Sequence, residues 1–201
     1  MVEAYEKGLM TSRDGNVSLR NNCHDFFWLS PTNIRKHTLQ PDQFKKLATI
    51  VTDDKKPIEL HYTDISKNLK PSGEFPIHYM LQKKLPKNCD TRVVMHVHST
   101  YTVAAMHAGI QLQDLRMYFP EIARYTRVAV STPDVPPISW DLAEACAKSL
   151  GVDESTGETN YDIVGIKGHG VVSVDTTPWR AYEHIERLEH CAKIMLLSNK
   201  Y

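Results

Sequence analysis

The chain has 201 residues, 41% of them hydrophobic and 24% charged, with 24 basic and 24 acidic side chains. Such a length supports one sizeable core, and a zero formal charge excludes the basic footprint of a nucleic-acid or membrane-surface binder. No run approaches the ~18 apolar residues of a membrane span, and the start "MVEAYEKGLM" lacks the apolar stretch of a signal peptide.

Ten histidines are the compositional oddity. The four cysteines (Cys23, Cys89, Cys146 and Cys191) are scattered without a Cys-x-x-Cys pair. That spacing argues against a zinc ribbon or a disulfide framework and predicts reduced thiols in a cytoplasmic protein. No repeat, low-complexity tract or linker divides the chain, so one domain over residues 1–201 is expected.

In chain order, Val2–Leu9 reads as a helix end. Asp14-Gly15-Asn16 carries turn chemistry, and Val17–Arg20 alternates as a strand does. "DFFWLSPTN" reads as a second strand closing a hairpin, and "QPDQFKKLATIV" as a short helix opened by Pro41. "PIELHYTD" alternates again. "PSGEFPIHYMLQKKL" predicts a helix capped by Ser72, with Pro76 tolerated in its first turn. "RVVMHVHS" predicts a strand, "STYTVAAMHAG" a short helix stopped by Gly109, and "RYTRVAVSTP" a further strand. "SWDLAEACAKSLG" reads as a helix with a Ser139 cap and a Gly151 stop. "YDIVGIKGHGVVSVD" reads as two strands around Gly168-His169-Gly170, and residues 177–200 as a long amphipathic helix. Hairpins interspersed with helices predict a largely antiparallel sheet covered by helices.

On the strand "RVVMHVHS", alternation puts Val94, His96 and His98 on one face. The two imidazoles then lie roughly 7 Å apart along the strand, within reach of one ion. On a helix they would diverge. Alone, such a pair reads as well as two surface histidines. His169, between two glycines at a turn, is a third candidate, and three histidines with an open position match a catalytic zinc site. Glu74, near a predicted helix start, is the candidate acid/base group; the plain alternative is a first-turn carboxylate balancing the helix dipole. His78, one turn further at i+4 from Glu74, reads as a packed or solvated helix histidine, the alternative being a residue that supports Glu74 from behind. His184 and His190 lie on different helix faces.

Five segments, in order, resemble the class II aldolase/adducin family. "GNVSLR" (Gly15 to Arg20) matches its Gly-Asn-x-Ser-x-Arg, and "LSPTN" (Leu29 to Asn33) resembles its Thr-Pro-Ser/Thr-Gly turn. "KPSGE" (Lys70 to Glu74) resembles Pro-Ser-Ser-Glu, "HVHS" matches His-x-His-Ser, and "GHG" matches His-Gly. The resemblance implies a single-domain α/β/α sandwich with a mostly antiparallel central sheet. It implies a divalent metal on His96, His98 and His169, most often Zn2+ with Mn2+ or Co2+ as substitutes, and Glu74 as acid/base. It further implies a phosphate site at Asn16, Thr32, Asn33, Ser72 and Gly73, and a tyrosine from a neighbouring subunit, for which Tyr118 stands near the corresponding place. The expected protein is a cytoplasmic homotetramer with active sites at subunit interfaces. It would act as a carbon–carbon lyase on a small sugar phosphate through a metal-stabilised enediolate.

Two positions depart from the family pattern: Gly73 replaces its second Ser, and Asn33 replaces its turn glycine. Family aldolases carry Glu at position 74, whereas ribulose-phosphate epimerases carry Asp, so Glu74 points to an aldolase or a dehydratase. The competing readings are an epimerase of the same family, a non-catalytic adducin-like assembly domain, and a zinc hydrolase.

Overall fold

The structure, a computed structural model, describes residues 1–198. The last residues of the expected domain, 199–201, lie outside the described residues, as does the end of the predicted C-terminal helix.

The elements follow in chain order as α1 (Val2–Glu6), β1 (Asn16–Asn21), β2 (Phe26–Leu29), β3 (Lys45–Val51), β4 (Pro57–Leu60), α2 (Asp64–Lys67), α3 (Phe75–Gln82) and β5 (Thr91–Val97). Then come α4 (Thr100–His107), α5 (Pro120–Tyr125), α6 (Trp140–Ser149), β6 (Ile163–Ile166), β7 (Gly170–Asp175) and α7 (Pro178–Ser198). The seven strands form one open sheet in the order β4-β3-β2-β1-β5-β7-β6, and every pairing between them is antiparallel.

The central strand β5 shows why the sheet sits between two helical layers. Its six residues Arg92–Val97 are all buried, so both faces must be covered. Val93, Met95 and Val97 pack with Ala105 and Met106 of α4 and with Ile185 and Leu188 of α7. Val94 points the other way, onto Ile77 and Leu81 of α3 and Leu142 and Cys146 of α6. Each such aliphatic side chain stabilises the fold by about 1.5–3 kcal/mol relative to exposure. This is the expected α/β/α arrangement.

Three local expectations are corrected. "QPDQFKKLATIV" is not a helix: a single 3-10 turn at Pro41–Gln43 is followed by β3, which pairs with β2 from Phe26↔Ala48 to Leu29↔Lys45. The proline and acidic start produce that turn. Beyond it, burial of Lys45 and Leu47 on one face and the open edge of β2 decide for a strand. "RYTRVAVSTP" contributes one isolated bridge, Val128↔Ile163, rather than a strand. Ala129 and Thr132 still donate to Ile163 and Gly165, so the segment runs extended beside β6 until Pro133 ends it. The cap position of α3 is Glu74, not Ser72. Ser72 instead accepts the Glu74 backbone N–H on its hydroxyl at 3.3 Å and the Phe75 N–H on its carbonyl. Where Ser139 and Gly151 are expected to bound α6, they do: Ser139 Oγ accepts the Leu142 N–H at 3.0 Å, and Gly151 has φ +65°.

Candidate metal centre and active site

The end of the sheet where β5 finishes and β1 and β7 begin gathers the chemistry. Register places Asn16 opposite His96 on one side and Val172 opposite it on the other. Two glycines permit this crowding. A Cβ on Gly15 would meet the His96 carbonyl oxygen at 2.8 Å, and one on Gly170 would meet that of Val97 at 2.2 Å. Just beyond, α4 is anchored by the buried Glu189 of α7. Its carboxylate accepts the Tyr101 and Thr102 N–H groups at 2.8 and 2.7 Å and the Thr102 hydroxyl at 2.7 Å. That fixes the chain directly after His98 and Ser99.

His96, His98 and His169 converge, with one ligand nitrogen from each lying within 4.8 Å of the others. The ring centroids are 4.5–4.9 Å apart. His96 is buried, and its Nδ1 lies 2.9 Å from the Val171 carbonyl. A carbonyl only accepts, so Nδ1 carries the proton and Nε2 turns its lone pair into the cluster. His98 Nε2 is 3.0 Å from that atom. Burial, then the neighbouring His96 and His169, push the His98 imidazole down to about 4. Burial and His96 lower His169 as well, and both shifts outweigh the opposing carboxylates. Close packing of three imidazoles beside a buried carboxylate suits a shared divalent cation, not three surface histidines.

Glu74 stands beside them, 7% exposed. Its Oε2 accepts the Asn16 amide N–H at 2.5 Å and is 3.3 Å from His96 Nε2; its Oε1 is 3.6 Å from His169 Nε2. Burial alone would raise the carboxyl. His96, the Asn16 bond, His169 and His78 together overcome burial and hold it below the ordinary range, so it is a carboxylate at neutral pH. Its Oε1 is buried without a hydrogen-bond partner, as is His169 Nδ1. A carboxylate with one orphaned oxygen beside three convergent imidazoles is a donor set that fits a divalent metal and a polar substrate.

The neighbouring loops are pinned together. Pro31 bridges Pro71, and Thr32 donates its N–H to the Lys70 carbonyl at 3.0 Å. Asn33 takes φ +57°, the left-handed conformation a glycine would otherwise supply. Thr32 is half-buried, Asn33 and Gly73 are exposed, and Ser72 is buried. Asn16 is buried, with its amide engaged at both ends by Glu74 and His78. Tyr118, 64% exposed, ends the turn Leu112–Met117. Among the described residues, no bond, ion pair or ring contact joins it to Glu74 or the three histidines. The structure thus brings together Asn16, Glu74, His96, His98 and His169 and sets the loops of Thr32–Asn33 and Ser72–Gly73 side by side, with no described contact from Tyr118 to them.

Three residues near the site, Asp14, Lys36 and Ile138, escaped the sequence reading, which makes His78 chiefly a packed or solvated histidine. His78 is neither solvated nor packed only against apolar groups: it is fully buried, hydrogen-bonded to Ser18 and Asn16, and pushed down to about 3 by burial. The i, i+4 spacing from Glu74 was its only signal. Asp14 lies 3.8 Å from His98 Nδ1, although its place before Gly15 signals a turn and nothing more. Lys36 is 2% exposed; its ammonium donates to the Pro31 carbonyl at 2.8 Å, and burial brings it down to about 8 against the pull of Asp14 and Glu74. Ile138 sits at φ +56°, and a Cβ on Gly73 would meet its Cγ2 at 3.3 Å. A β-branched residue in that conformation is strained, and no sequence pattern marks it.

Comparison with known proteins supplies an independent line. Residues 2–196 match the family described as Class II Aldolase and Adducin N-terminal domain. An L-fuculose phosphate aldolase of Methanocaldococcus jannaschii is 25% identical over 198 residues, covering 96% of this chain and 90% of the relative. One from Methanococcus vannielii is 24% identical over 193 residues, covering 94% and 88%. Among solved structures, a sugar-phosphate aldolase from Thermotoga maritima superposes with a TM-score of 0.76 at 20% identity, covering 100% of this chain and 92% of that one.

Proposed function

Because this chain belongs to the class II aldolase and adducin family, we propose that it is a metal-dependent aldolase that cleaves a small ketose phosphate. One observation carries the reading: the unpartnered Oε1 of the buried Glu74 lies 3.6 Å from His169 Nε2, in a cluster of three imidazoles whose nitrogens lie within 4.8 Å of one another. In it, His96, His98 and His169 hold the cation, most often Zn2+ in such a donor set. The cation, when bound, supplies Lewis acidity at the ketose carbonyl, where negative charge develops as the carbon–carbon bond breaks.

The chain's own groups do the rest. The hydroxyl on the departing carbon loses its proton and becomes an aldehyde, and that proton ends on the carbon left beside the carbonyl. Glu74, ionised at neutral pH, moves it at Oε1, the oxygen that Asn16 leaves free. Thr32, Asn33, Ser72 and Gly73 hold the substrate phosphate through hydroxyls and backbone N–H groups, and Asn16 has one amide hydrogen left to join them. Tyr118, exposed on its own subunit, serves the site of a neighbour in a homotetramer. The enzyme works in the cytoplasm.

The test is a panel of ketose 1-phosphates and 5-phosphates, and of dihydroxyacetone phosphate with aldehydes, assayed with zinc and manganese and again after chelation. Cleavage that disappears with chelator and returns with metal is expected. Metal content below about a tenth of an equivalent, not restored by added ion, overturns the proposal. Water loss without carbon–carbon cleavage would make the enzyme a dehydratase.

A further inference from the structure

A chain of buried polar groups runs from the middle of the sheet to Glu74, and its hydrogen-bond directions can be assigned one after another. Asn16 turns its Nδ2 to Glu74, and an amide nitrogen only donates, so it gives an N–H to Oε2 at 2.5 Å. The Asn16 carbonyl oxygen therefore faces His78 Nε2, and because that oxygen only accepts, Nε2 must carry the imidazole proton. His78 is completely buried with one partner on each ring nitrogen, and an imidazole with its proton on Nε2 has Nδ1 as its acceptor. The Ser18 hydroxyl, 2.7 Å away, must donate to it. Ser18 Oγ in turn accepts Gln82 Nε2 at 3.0 Å, and the second hydrogen of that amide goes to the Arg92 carbonyl at 3.2 Å. From Gln82 to Asn16 each link donates toward Glu74, and reversing one of those bonds would set two donors or two acceptors against each other.

We infer that His78 is a positioning residue: its Nε2–H holds the Asn16 carbonyl, so that the Asn16 N–H must turn to Glu74 Oε2 and Glu74 Oε1 stays free toward the reacting atoms. Without that donor the Asn16 amide can flip, and its oxygen would oppose a carboxylate. The catalytic part of this inference rests on the aldolase reading; the direction of the hydrogen bonds does not.

Two substitutions separate positioning from packing. Gln places an amide N–H near the former Nε2, within reach of Asn16. Asn places its amide near the former Nδ1, within reach of Ser18 only. On wild type, His78→Gln and His78→Asn, each purified with zinc added, kcat and KM for ketose-phosphate cleavage are measured, and 15N NMR reads the His78 tautomer and the Asn16 side-chain amide. Wild type should carry the proton on Nε2 and show an Asn16 amide hydrogen shifted downfield by its bond to the carboxylate. His78→Gln should keep that shift and a kcat within ~3-fold; His78→Asn should lose the shift and ~30-fold in kcat, with KM within ~3-fold in both. Equal kcat losses in the two variants, a loss confined to KM, or a proton on Nδ1 would overturn the inference. If wild type cleaves nothing in the panel, the aldolase reading falls. The relay then stands or falls on whether the tautomer and the Asn16 shift are as stated and vanish in His78→Asn.

Discussion

The two ends of the central strands each bury histidine beside carboxylate, yet only one is chemically unfinished. At the end away from Glu74, His184 gives one ring nitrogen to the Thr126 hydroxyl and the other to Asp175, both at 2.9 Å. Asp175 also meets Arg180 at 3.2 Å and the Thr176 hydroxyl at 3.0 Å, and Asp162 pairs with Arg127. Among the described residues, none of these side chains is left with an unpartnered buried atom. At the other end, Glu74 Oε1 and His169 Nδ1 have no partner, three imidazoles crowd together, and Asn33 and Ile138 beside the loops have left-handed backbones. The same residue types thus build a structural cluster where each buried polar atom has a partner. They build a candidate active site where unmatched lone pairs converge.

The sharpest way to break this contrast is to remove one imidazole. His98→Ala should lower bound zinc from about one equivalent to below ~0.1 and cleavage by ~10³-fold or more, about 4 kcal/mol, without altering the fold. Metal analysis, turnover and a thermal melt check it; normal zinc content would erase the distinction between the ends. Glu74→Gln, which keeps the shape and removes the charge, should retain zinc and lose ~10²- to 10⁴-fold in kcat. Unchanged kcat would take Glu74 out of the mechanism.

The opposite end should fail in stability instead. Asp175→Asn should cost about 1–3 kcal/mol with zinc content and kcat unchanged, measured by urea unfolding. Burial raises Asp175, but its bonds from His184 and Thr176 and the charge of Arg180 outweigh burial and hold it below the usual carboxylate range. A depressed acid stabilises the fold above its unfolded value, about 3.9, and that contribution fades as pH falls toward the folded value. The gap between wild type and variant should therefore be constant above about pH 5 and close below about pH 4. The smallest effect sharpens the strain argument: Ile138→Asn, whose side chain tolerates the left-handed conformation, should raise stability by about 1 kcal/mol in the same assay.

Much of the site was readable because local pattern and local structure agreed. Alternation in Val93–Val97 belongs to β5, His98 follows directly at its end, and the glycines around His169 flank the turn before β7, so the three histidines converge as their spacing allows. The Ser139 cap and Gly151 stop of α6 were equally local. Where neighbours decided, the reading failed. Residues 45–51 became a strand because β2 offered an unpaired edge, and residues 127–132 reached β6 through a single bridge.

By itself, the sequence determined which residues can bind metal, move a proton or turn the chain, because those capacities belong to the side chain and its immediate neighbours. Only the tertiary structure decided which lone pairs remain unmatched. His78 and His184 carry the same ring. One is committed to Ser18 and Asn16 in the chain leading to Glu74, and the other is satisfied by Thr126 and Asp175 far from it. Hydrogen-bond completeness is a property of groups brought together from distant parts of the chain, and no window of sequence contains both partners.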